Sequence, residues 1–355
     1  MSYTLCKKLQ NLKPYEPISG EYEIRLDANE SFMNLPEDIL FTFSEKLKKC
    51  QLNRYPDPMA KELCELYGEF INMPAEMITA GNGSDELLML IASAFLQKGD
   101  KAMMLTPDFS MYKFYAEIAE AEMVECPKND DLTIDADKVI EKAREENVRL
   151  LTFSNPCNPT SLGISAYDVL RIARGVGDCL LVVDEAYMDF WDDESVIVYL
   201  EHFDNIIVLR TCSKAFKMAG LRCGFAVTNK KLSGVLKAVK SPYNLNSMTQ
   251  MLVSEVLRDR FAIREAVAIN KAECAYLHSK LVELSEISGV PMTIYETKTN
   301  FVFMKLGEEK ALEVFKALKQ RGIIIRHMGE YLRITAGSRG ENQMLIIQLR
   351  QIFNC

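Results

Sequence analysis

Positive charge and long apolar runs are both scarce in this sequence of 355 residues. It has 42 lysines and arginines against 50 aspartates and glutamates, a formal net charge of -8. It therefore lacks the basic surface that would attract nucleic acids or anionic membranes. The longest apolar run, residues 87–96, is too short to cross a bilayer, and the N-terminal residues lack the apolar core of a secretory signal. We expect a cytoplasmic protein with neither nucleic acid nor membrane as a partner.

Patterns for binding metal are also missing. The ten cysteines are scattered without a Cys-x-x-Cys pair, and the three histidines, His202, His278 and His327, form no metal-ligand motif. We therefore expect reduced, buried cysteines and no metal site.

The middle of the chain alternates short apolar runs with amphipathic stretches. This pattern predicts an α/β fold, with a mainly parallel sheet covered by helices on both faces. The predicted strands are residues 101–106, 149–154, 179–184, 205–210 and 223–228. The predicted helices are residues 85–97, 111–121, 135–147 and 165–176.

After about residue 240 the pattern changes to a long helical region, near 246–284, followed by short strands and a helix near 308–321. This region indicates a smaller α+β domain. We predict four segments along the chain: an arm over 1–25, the start of the small domain over 26–48, a large domain over 49–242 and the rest of the small domain over 243–355.

Two predicted strands end in groups that could form a site. Asp184 ends one strand, at the edge of the sheet where α/β proteins bind ligands, and Tyr187 follows it. The next strand leads into Thr211, Ser213 and Lys214. A lone aspartate there is more often the cap of a loop, and a lone lysine is more often a solvated surface group.

Two further segments have functional and purely structural interpretations. SNPCNPTSLG (154–163) follows a strand, and its Asn-Pro steps predict turns that could aim Asn158 at a ligand. AGNGSDELLMLI (80–91) begins a helix at Ser84 and Asp85, where free N–H groups favour an anion. A rigid turn and an ordinary N-cap remain the structural alternatives.

Taken together, three motifs resemble those of the fold-type I pyridoxal-phosphate aminotransferases. They are Asn-Pro-x-Asn-Pro-Thr, Asp-Glu-Ala-Tyr, and Ser-Lys followed eight residues later by Arg222. That fold has a large domain, with a mainly parallel sheet of seven-stranded type, and a smaller α+β domain. The resemblance implies that the Lys214 amine bonds to the aldehyde of pyridoxal 5'-phosphate and later moves the substrate α-proton. It also implies that Asp184 keeps the pyridine nitrogen protonated. The other implied cofactor contacts are Asn158 and Tyr187 at the ring oxygen, Phe109 on the ring face, and Arg222, Ser213, Thr211, Ser84 and Asp85 at the phosphate.

Other segments resemble the histidinol-phosphate aminotransferase subgroup. LKPYEP (12–17) contains Tyr15, on an arm that reaches the neighbouring subunit's site in that family, and LDANE (26–30) contains Asn29 as a substrate contact. NRYPDP (53–58) places Tyr55 near the partner's cofactor phosphate, and KSPYNLNS (240–247) places Tyr243 near the substrate. These implied roles predict a homodimer with shared active sites.

Two arginines near the C-terminus match substrate contacts of the same subgroup. Arg333, in a strand-like segment, corresponds to the arginine that binds the carboxylate of the amino-acid or keto-acid partner. Arg326 corresponds to a residue that helps to hold the substrate phosphate. A surface salt bridge is the structural alternative for Arg326.

The sequence departs from the subgroup at three places. Ser161 replaces the glycine that usually follows Asn-Pro-Thr, and Phe109 replaces a tyrosine. The loop 327–330 is shorter than usual, and we expect His327 to be solvated there.

The sequence thus predicts an enzyme that converts L-histidinol phosphate and 2-oxoglutarate to imidazole acetol phosphate and L-glutamate. An aromatic amino-acid aminotransferase and a phosphothreonine-decarboxylase-like enzyme remain alternatives on the same fold. A regulatory protein that binds the cofactor without turnover is an alternative of another class. Such proteins usually carry a DNA-binding module, and neither the length nor the charge leaves room for one.

Overall fold

A computed structural model of the protein describes residues 3–9 and 18–355. Within these residues the chain forms two sheets. The strands are β1 (Ile24–Leu26), β2 (Ile78–Gly81), β3 (Lys101–Thr106), β4 (Glu122–Pro127), β5 (Leu150–Ser154), β6 (Leu180–Asp184), β7 (Ile206–Thr211), β8 (Gly224–Thr228), β9 (Thr293–Ile294), β10 (Phe301–Lys305), β11 (Ile323–Met328) and β12 (Tyr331–Thr335).

Helices cover both sheets. They are α1 (Glu37–Leu47), α2 (Lys61–Ile71), α3 (Ser84–Phe95), α4 (Met111–Ile118), α5 (Ala136–Glu145), α6 (Ala166–Gly175), α7 (Lys230–Val239), α8 (Ser247–Arg258), α9 (Arg260–Ile287), α10 (Glu308–Gln320) and α11 (Arg339–Phe353). Short 3-10 helices lie between some of them, as at Met188–Phe190.

The larger sheet has seven strands in the order β2-β8-β7-β6-β5-β3-β4. β8 pairs antiparallel with both of its neighbours, β2 and β7, and the other pairs in this sheet are parallel. Alternate residues of β3 enter different cores, with Met103 and Leu105 on one face and Ala102 and Met104 on the other. Because both faces are covered, the central strands are apolar along their whole length. The predicted α/β fold with a mainly parallel, helix-flanked sheet is confirmed.

The smaller sheet has five strands in the order β1-β11-β12-β10-β9. β1 pairs in parallel with β11, and the other pairs are antiparallel. Parts of α9, α10 and α11 share a separate core with this sheet. The long helical region predicted near 246–284 is two helices, because the chain breaks at Asp259, whose carboxylate caps the start of α9 by accepting from the Ala262 N–H.

The prediction of a loop over 327–330 is wrong. β11 continues to Met328, which pairs with Tyr331, so only Gly329 and Glu330 form the turn. His327 is therefore a strand residue, and its ring stacks on Phe315 at 5.6 Å between centroids. The Gly329 φ of 62° suits so short a connection.

The predicted domain boundaries remain a prediction. α1 and α8, both predicted to lie in the small domain, contribute Ile39 and Leu252 to a core of the seven-stranded sheet. In the described part of the chain, no helix is long and apolar enough to span a membrane. The cysteines are all free, seven of them are buried, and no metal-binding cluster occurs among the described residues.

Candidate active site

The site is built at one edge of the seven-stranded sheet. β5, β6 and β7 are parallel neighbours, so their carboxyl ends meet at the same edge. The segments that follow these strands bring together Asn158, Tyr187 and Lys214, while Asp184 ends β6 itself.

Asp184 is a buried acid with two donors. Its Oδ2 accepts a hydrogen bond of 2.9 Å from the hydroxyl of Tyr112, and its Oδ1 accepts one of 3.1 Å from the Ala186 N–H. Burial nonetheless raises the pKa of the Asp184 carboxyl to about 7. A cationic partner at this position would favour the ionised carboxylate, so the site suits a protonated nitrogen heterocycle.

Lys214 presents a half-buried amine near the same edge. Its Nζ donates to the Ala28 carbonyl at 2.9 Å and lies 6.0 Å from the centroid of the Tyr187 ring. Burial and the guanidinium of Arg333 lower the pKa of the Lys214 amine to about 8. A larger fraction of this amine is therefore neutral near neutral pH than for an ordinary lysine, as a nucleophile or a general base requires.

A polar cup lies beside the start of α3. The Ser213 hydroxyl accepts from Thr211 Oγ1 at 3.0 Å and from Arg222 Nη1 at 3.3 Å. Arg222 Nη2 also contacts Asp85 Oδ2 at 3.3 Å. Among the described residues, no side chain caps the start of α3 at Ser84, so N–H groups of its first turn are left for a ligand.

Two glycines are needed for this cup to close. A Cβ on Gly83, whose φ is 82°, would lie 2.7 Å from Arg222 Nη2. A Cβ on Gly224 would lie 2.6 Å from the Ser84 backbone nitrogen. Hydroxyls, a guanidinium and helix N–H groups in this arrangement are the donors that a phosphate prefers.

Tyr187, which follows β6 of the larger sheet, is held by residues in and beside the smaller sheet. Asn29, which follows β1, donates from Nδ2 to the Tyr187 hydroxyl at 2.9 Å. The Asn29 backbone N–H donates to Thr335 Oγ1 at 2.9 Å, and Asn300 Nδ2 donates to the Asn29 carbonyl at 3.1 Å. Because its oxygen already accepts a hydrogen bond, Tyr187 retains its own hydrogen for a ligand. Burial raises the pKa of Tyr187 to about 12, so the phenol stays protonated.

Asn158 and Arg333 are in direct contact. Arg333 Nη1 donates to Asn158 Oδ1, and Nη2 donates to the Asp27 carbonyl at 2.7 Å. Arg326 is the direct cross-strand partner of Arg333, so both side chains lie on the same face of the smaller sheet. The salt bridge considered for Arg326 is not present, since in the described chain no carboxylate lies within ion-pair distance of it.

The remaining predicted residues have different surroundings. Phe109 is half-buried, and its ring meets Tyr112 edge-on, with centroids 5.6 Å apart. Tyr55 and Tyr243 stack on each other at 4.4 Å, and 80% and 41% of their surfaces are exposed. Neither makes a polar contact with Lys214 or Asp184 in the described part of the chain. Tyr15 lies outside the described residues.

Sequence reasoning missed several residues that support the site. Tyr112 lies in the same segment as Phe109 but was assigned no role, although a buried tyrosine needs a polar partner. Thr335 and Asn300 are too distant in sequence from Asn29 for any local pattern to connect them. The buried acid, the amine and the polar cup nevertheless lie at one edge of the sheet. In that order, they fit the aromatic ring, the aldehyde and the phosphate of pyridoxal 5'-phosphate.

Comparisons with known proteins show which proteins this chain is similar to. A histidinol-phosphate aminotransferase from Clostridium novyi is 40% identical over 341 residues, covering 95% of this chain and 93% of that protein. One from Clostridium kluyveri is 37% identical, covering 98% of this chain and 97% of that protein. The crystal structure of histidinol-phosphate aminotransferase from Sinorhizobium meliloti, in complex with pyridoxal 5'-phosphate, has a TM-score of 0.88. It is 22% identical, covers 99% of this chain and 97% of that chain, and shows that the folds agree.

The family model of the class I and II aminotransferases matches residues 21–349. That range contains both sheets and every site residue named above except Tyr15. The chain is therefore an enzyme that belongs to the class I and II aminotransferases.

Proposed function

We propose that this aminotransferase uses pyridoxal 5'-phosphate to convert L-histidinol phosphate and 2-oxoglutarate to imidazole acetol phosphate and L-glutamate. The observation that carries the reaction is the half-buried Lys214 amine near the same sheet edge as the buried Asp184 carboxyl. The substrate follows from the curated relatives named above, up to 40% identical over nearly the whole chain.

Each residue of the site has a role that follows from its chemistry. When bound, the cofactor supplies an aldehyde for the amino group and a ring that accepts electrons. Lys214 would hold the cofactor through that aldehyde, and its amine, once free, would serve as the base that takes the α-proton of the substrate and returns it. Asp184 holds the ring nitrogen protonated. Tyr187 and Asn158 donate to the ring oxygen, with Phe109 on the ring face.

The polar cup binds the cofactor phosphate in this proposal. Arg222 supplies charge, Ser213 and Thr211 supply hydroxyls, and the first turn of α3 at Ser84 supplies N–H groups. Asp85 orients Arg222 through their ion pair rather than contacting the phosphate, because two anions would repel each other.

The two facing arginines bind the anionic end of each substrate. Arg326 and Arg333 lie directly opposite each other on paired strands, so an anion that contacts both would offset the repulsion between their like charges. The carboxylate of glutamate can be bound by Arg333 alone, in a forked geometry. A phosphate monoester carries nearly twice that charge, and we assign its extra contact to Arg326. Asn29 is buried and already engaged, which supports a role in orienting Tyr187 rather than in contacting substrate.

We also propose a cytoplasmic homodimer in which Tyr15 and Tyr55 serve the partner's site and Tyr243 lies near the substrate. The support is the exposed Tyr55–Tyr243 stack, because a partner subunit would cover these two apolar rings. The free cysteines support a reducing compartment, since disulfides are rare where thiols are kept reduced.

A single-turnover experiment tests the reaction and the substrate together. The cofactor-loaded protein is mixed separately with histidinol phosphate, phenylalanine and phosphothreonine, and the absorbance change that accompanies amino-group uptake is recorded. The keto product is identified by mass. We expect rapid uptake from histidinol phosphate and little from the other two.

Each other outcome points to a different enzyme. Uptake from phenylalanine alone would leave an aminotransferase with another substrate, and release of carbon dioxide from phosphothreonine would indicate a decarboxylase. The Lys214→Ala variant is the control, and normal transamination by that variant would contradict the catalytic assignment. Lys231→Ala, which changes an exposed lysine outside the site, should behave as the unaltered protein does.

A further inference from the structure

Tyr112 is a buried residue that the proposed reaction does not yet use. It lies in the first turn of α4, is 4% exposed, and belongs to the core between the seven-stranded sheet and helices α3 and α4. Its hydroxyl donates to Asp184 Oδ2 at 2.9 Å. In the described part of the chain, it is the only side chain that donates a hydrogen bond to Asp184.

The surroundings of Asp184 make this hydrogen bond important. Burial disfavours the charged carboxylate, and the nearby carboxyls of Asp108 and Asp85 act in the same direction. Lys128 offsets part of the Asp108 charge, from 3.6 Å. Only the Tyr112 hydroxyl and the Ala186 N–H favour the ionised form through direct contact. Burial and the adjacent acids raise the pKa of Tyr112 well above its ordinary value, so this phenol always has a proton to donate.

The same side chain also contacts the aromatic platform. The Phe109 and Tyr112 rings meet at an interplanar angle of 82°, an edge-to-face geometry that restricts the tilt of Phe109. Tyr112 therefore touches two groups that would meet the cofactor ring, one at its nitrogen and one on its face.

We propose that Tyr112 is a positioning residue that keeps Asp184 ionised and aimed at the cofactor's ring nitrogen. The inference rests on the proposed function. Asp184 and the ring nitrogen share one proton, and the hydrogen bond from Tyr112 favours its location on nitrogen. Without this donor the proton shifts to Asp184, the ring becomes a weaker electron acceptor, and removal of the substrate α-proton slows.

The test is Tyr112→Phe, which removes the hydroxyl and keeps the ring that packs on Phe109. The readout is the NMR chemical shift of an isotopically labelled ring nitrogen in the bound cofactor, which reports directly whether that nitrogen is protonated. We expect the shift to move toward the unprotonated value. We also expect cofactor affinity and kcat to fall about tenfold to a hundredfold, as for loss of a hydrogen bond to a charged group, with KM for 2-oxoglutarate unchanged.

Tyr67→Phe is the matched control. Tyr67 is 1% exposed and stacks on Phe225 in the core on the other face of the same sheet, so this variant removes a buried hydroxyl that makes no hydrogen bond to Asp184. We expect it to leave the nitrogen shift unchanged. If Tyr112 had only a structural role, the chemical shift of the ring nitrogen would be the same in both variants.

A second substitution covers the case in which Tyr112→Phe does not fold. Fluorotyrosine at position 112 keeps the shape of the side chain and makes the phenol a stronger donor, so the pH at which the ring nitrogen loses its proton, followed by the same NMR shift, should rise. An unchanged shift in the folded Phe variant, or an unchanged pH of deprotonation in the fluorotyrosine variant, overturns the proposal. Absence of transamination in the unaltered protein would instead contradict the proposed function, and that result is obtained before any variant is made.

Discussion

At the scale of single residues, Lys214 has the most specific chemical signature. Its amine reacts with an aldehyde only when neutral, and its pKa is lowered to about 8. Capture of pyridoxal phosphate by the cofactor-free protein should therefore accelerate as the pH rises through about 8, and should level off above it. Stopped-flow absorbance at a series of pH values measures this midpoint.

Arg333 provides the control for that measurement. Its guanidinium is the largest charge contribution that lowers the pKa of Lys214, so Arg333→Met should move the midpoint upward and slow capture at pH values near 8. A midpoint near that of an ordinary lysine in the unaltered protein would show that burial does not activate this amine.

Arg326 decides between phosphorylated and carboxylated substrates. We expect Arg326→Ala to raise KM for histidinol phosphate about tenfold to a hundredfold, because a charge-assisted hydrogen bond to phosphate is lost. KM for glutamate should change much less, since Arg333 remains. Steady-state kinetics with each substrate measure the difference.

Arg321→Ala is the matched control, because Arg321 is an exposed arginine just beyond α10. It should leave both KM values unchanged. Equal losses for the two substrates in Arg326→Ala would contradict the assignment of Arg326 to the phosphate.

At the scale of elements, the turn that carries Asn158 is attached to the segment before β10. Ser161 is fully buried with a φ of 63°, and its hydroxyl contacts Thr299 Oγ1 at 2.7 Å and Thr297 Oγ1 at 3.1 Å. The Lys298 N–H also donates to the Ser161 hydroxyl at 3.0 Å. Serine thus occupies a left-handed position that favours glycine, and its hydrogen bonds offset the strain.

Substitutions at this position separate strain from hydrogen bonding. Ser161→Gly relieves the strain and loses the hydroxyl contacts, so the free energy of unfolding should fall by about 1 kcal/mol. Ser161→Ala keeps the strain and loses the same contacts, and it should cost about 1 kcal/mol more. Urea unfolding of the three proteins measures these differences. A Gly variant as stable as the unaltered protein would show that the contacts contribute nothing net.

Elements differ in how well they were predicted. β3 begins and ends where predicted, because an apolar run covered on both faces has no other stable environment. β4 was missed, since as an edge strand it alternates exposed and buried residues and contains no continuous apolar run. β2 was missed because its four residues, Ile78–Gly81, are too few to show a pattern.

At the scale of the whole molecule, shared active sites can be tested by mixing defective subunits. Lys214→Ala and Tyr55→Ala should each be nearly inactive alone. If Tyr55 serves the partner's site, a mixed dimer contains one intact site and one doubly altered site. Random pairing makes about half of the dimers mixed, so co-expression should restore about a quarter of the normal activity.

Two results would argue against shared sites. Failure to recover activity from a mixture shown to contain mixed dimers would place Tyr55 in the site of its own subunit. A monomeric protein with full activity would exclude the dimer proposal altogether. Size-exclusion chromatography with light scattering establishes which species is present before the kinetics are interpreted.

Local sequence determined the chemistry of the site to a large extent. Asp184 and Lys214 lie beside strands that are recognisable from composition alone, and parallel strands bring their carboxyl ends to one edge. The residue types then follow from the reaction, because an aldehyde requires an amine and a ring nitrogen requires an acid. The roles of Asp184 and Lys214 came from the resemblance of their motifs to those of the aminotransferases, because the pattern alone left a loop cap and a surface lysine as alternatives.

Only the tertiary structure decided how those groups are held and tuned. The hydroxyl of Tyr112 meets Asp184 across 72 positions in sequence, and Asn29 meets Thr335 across 306. The lowered pKa of Lys214 likewise depends on Arg333, a residue of the other sheet. Contacts of this kind arise from the packing of distant segments, and burial depends on the whole fold. No periodicity or motif within one segment encodes them.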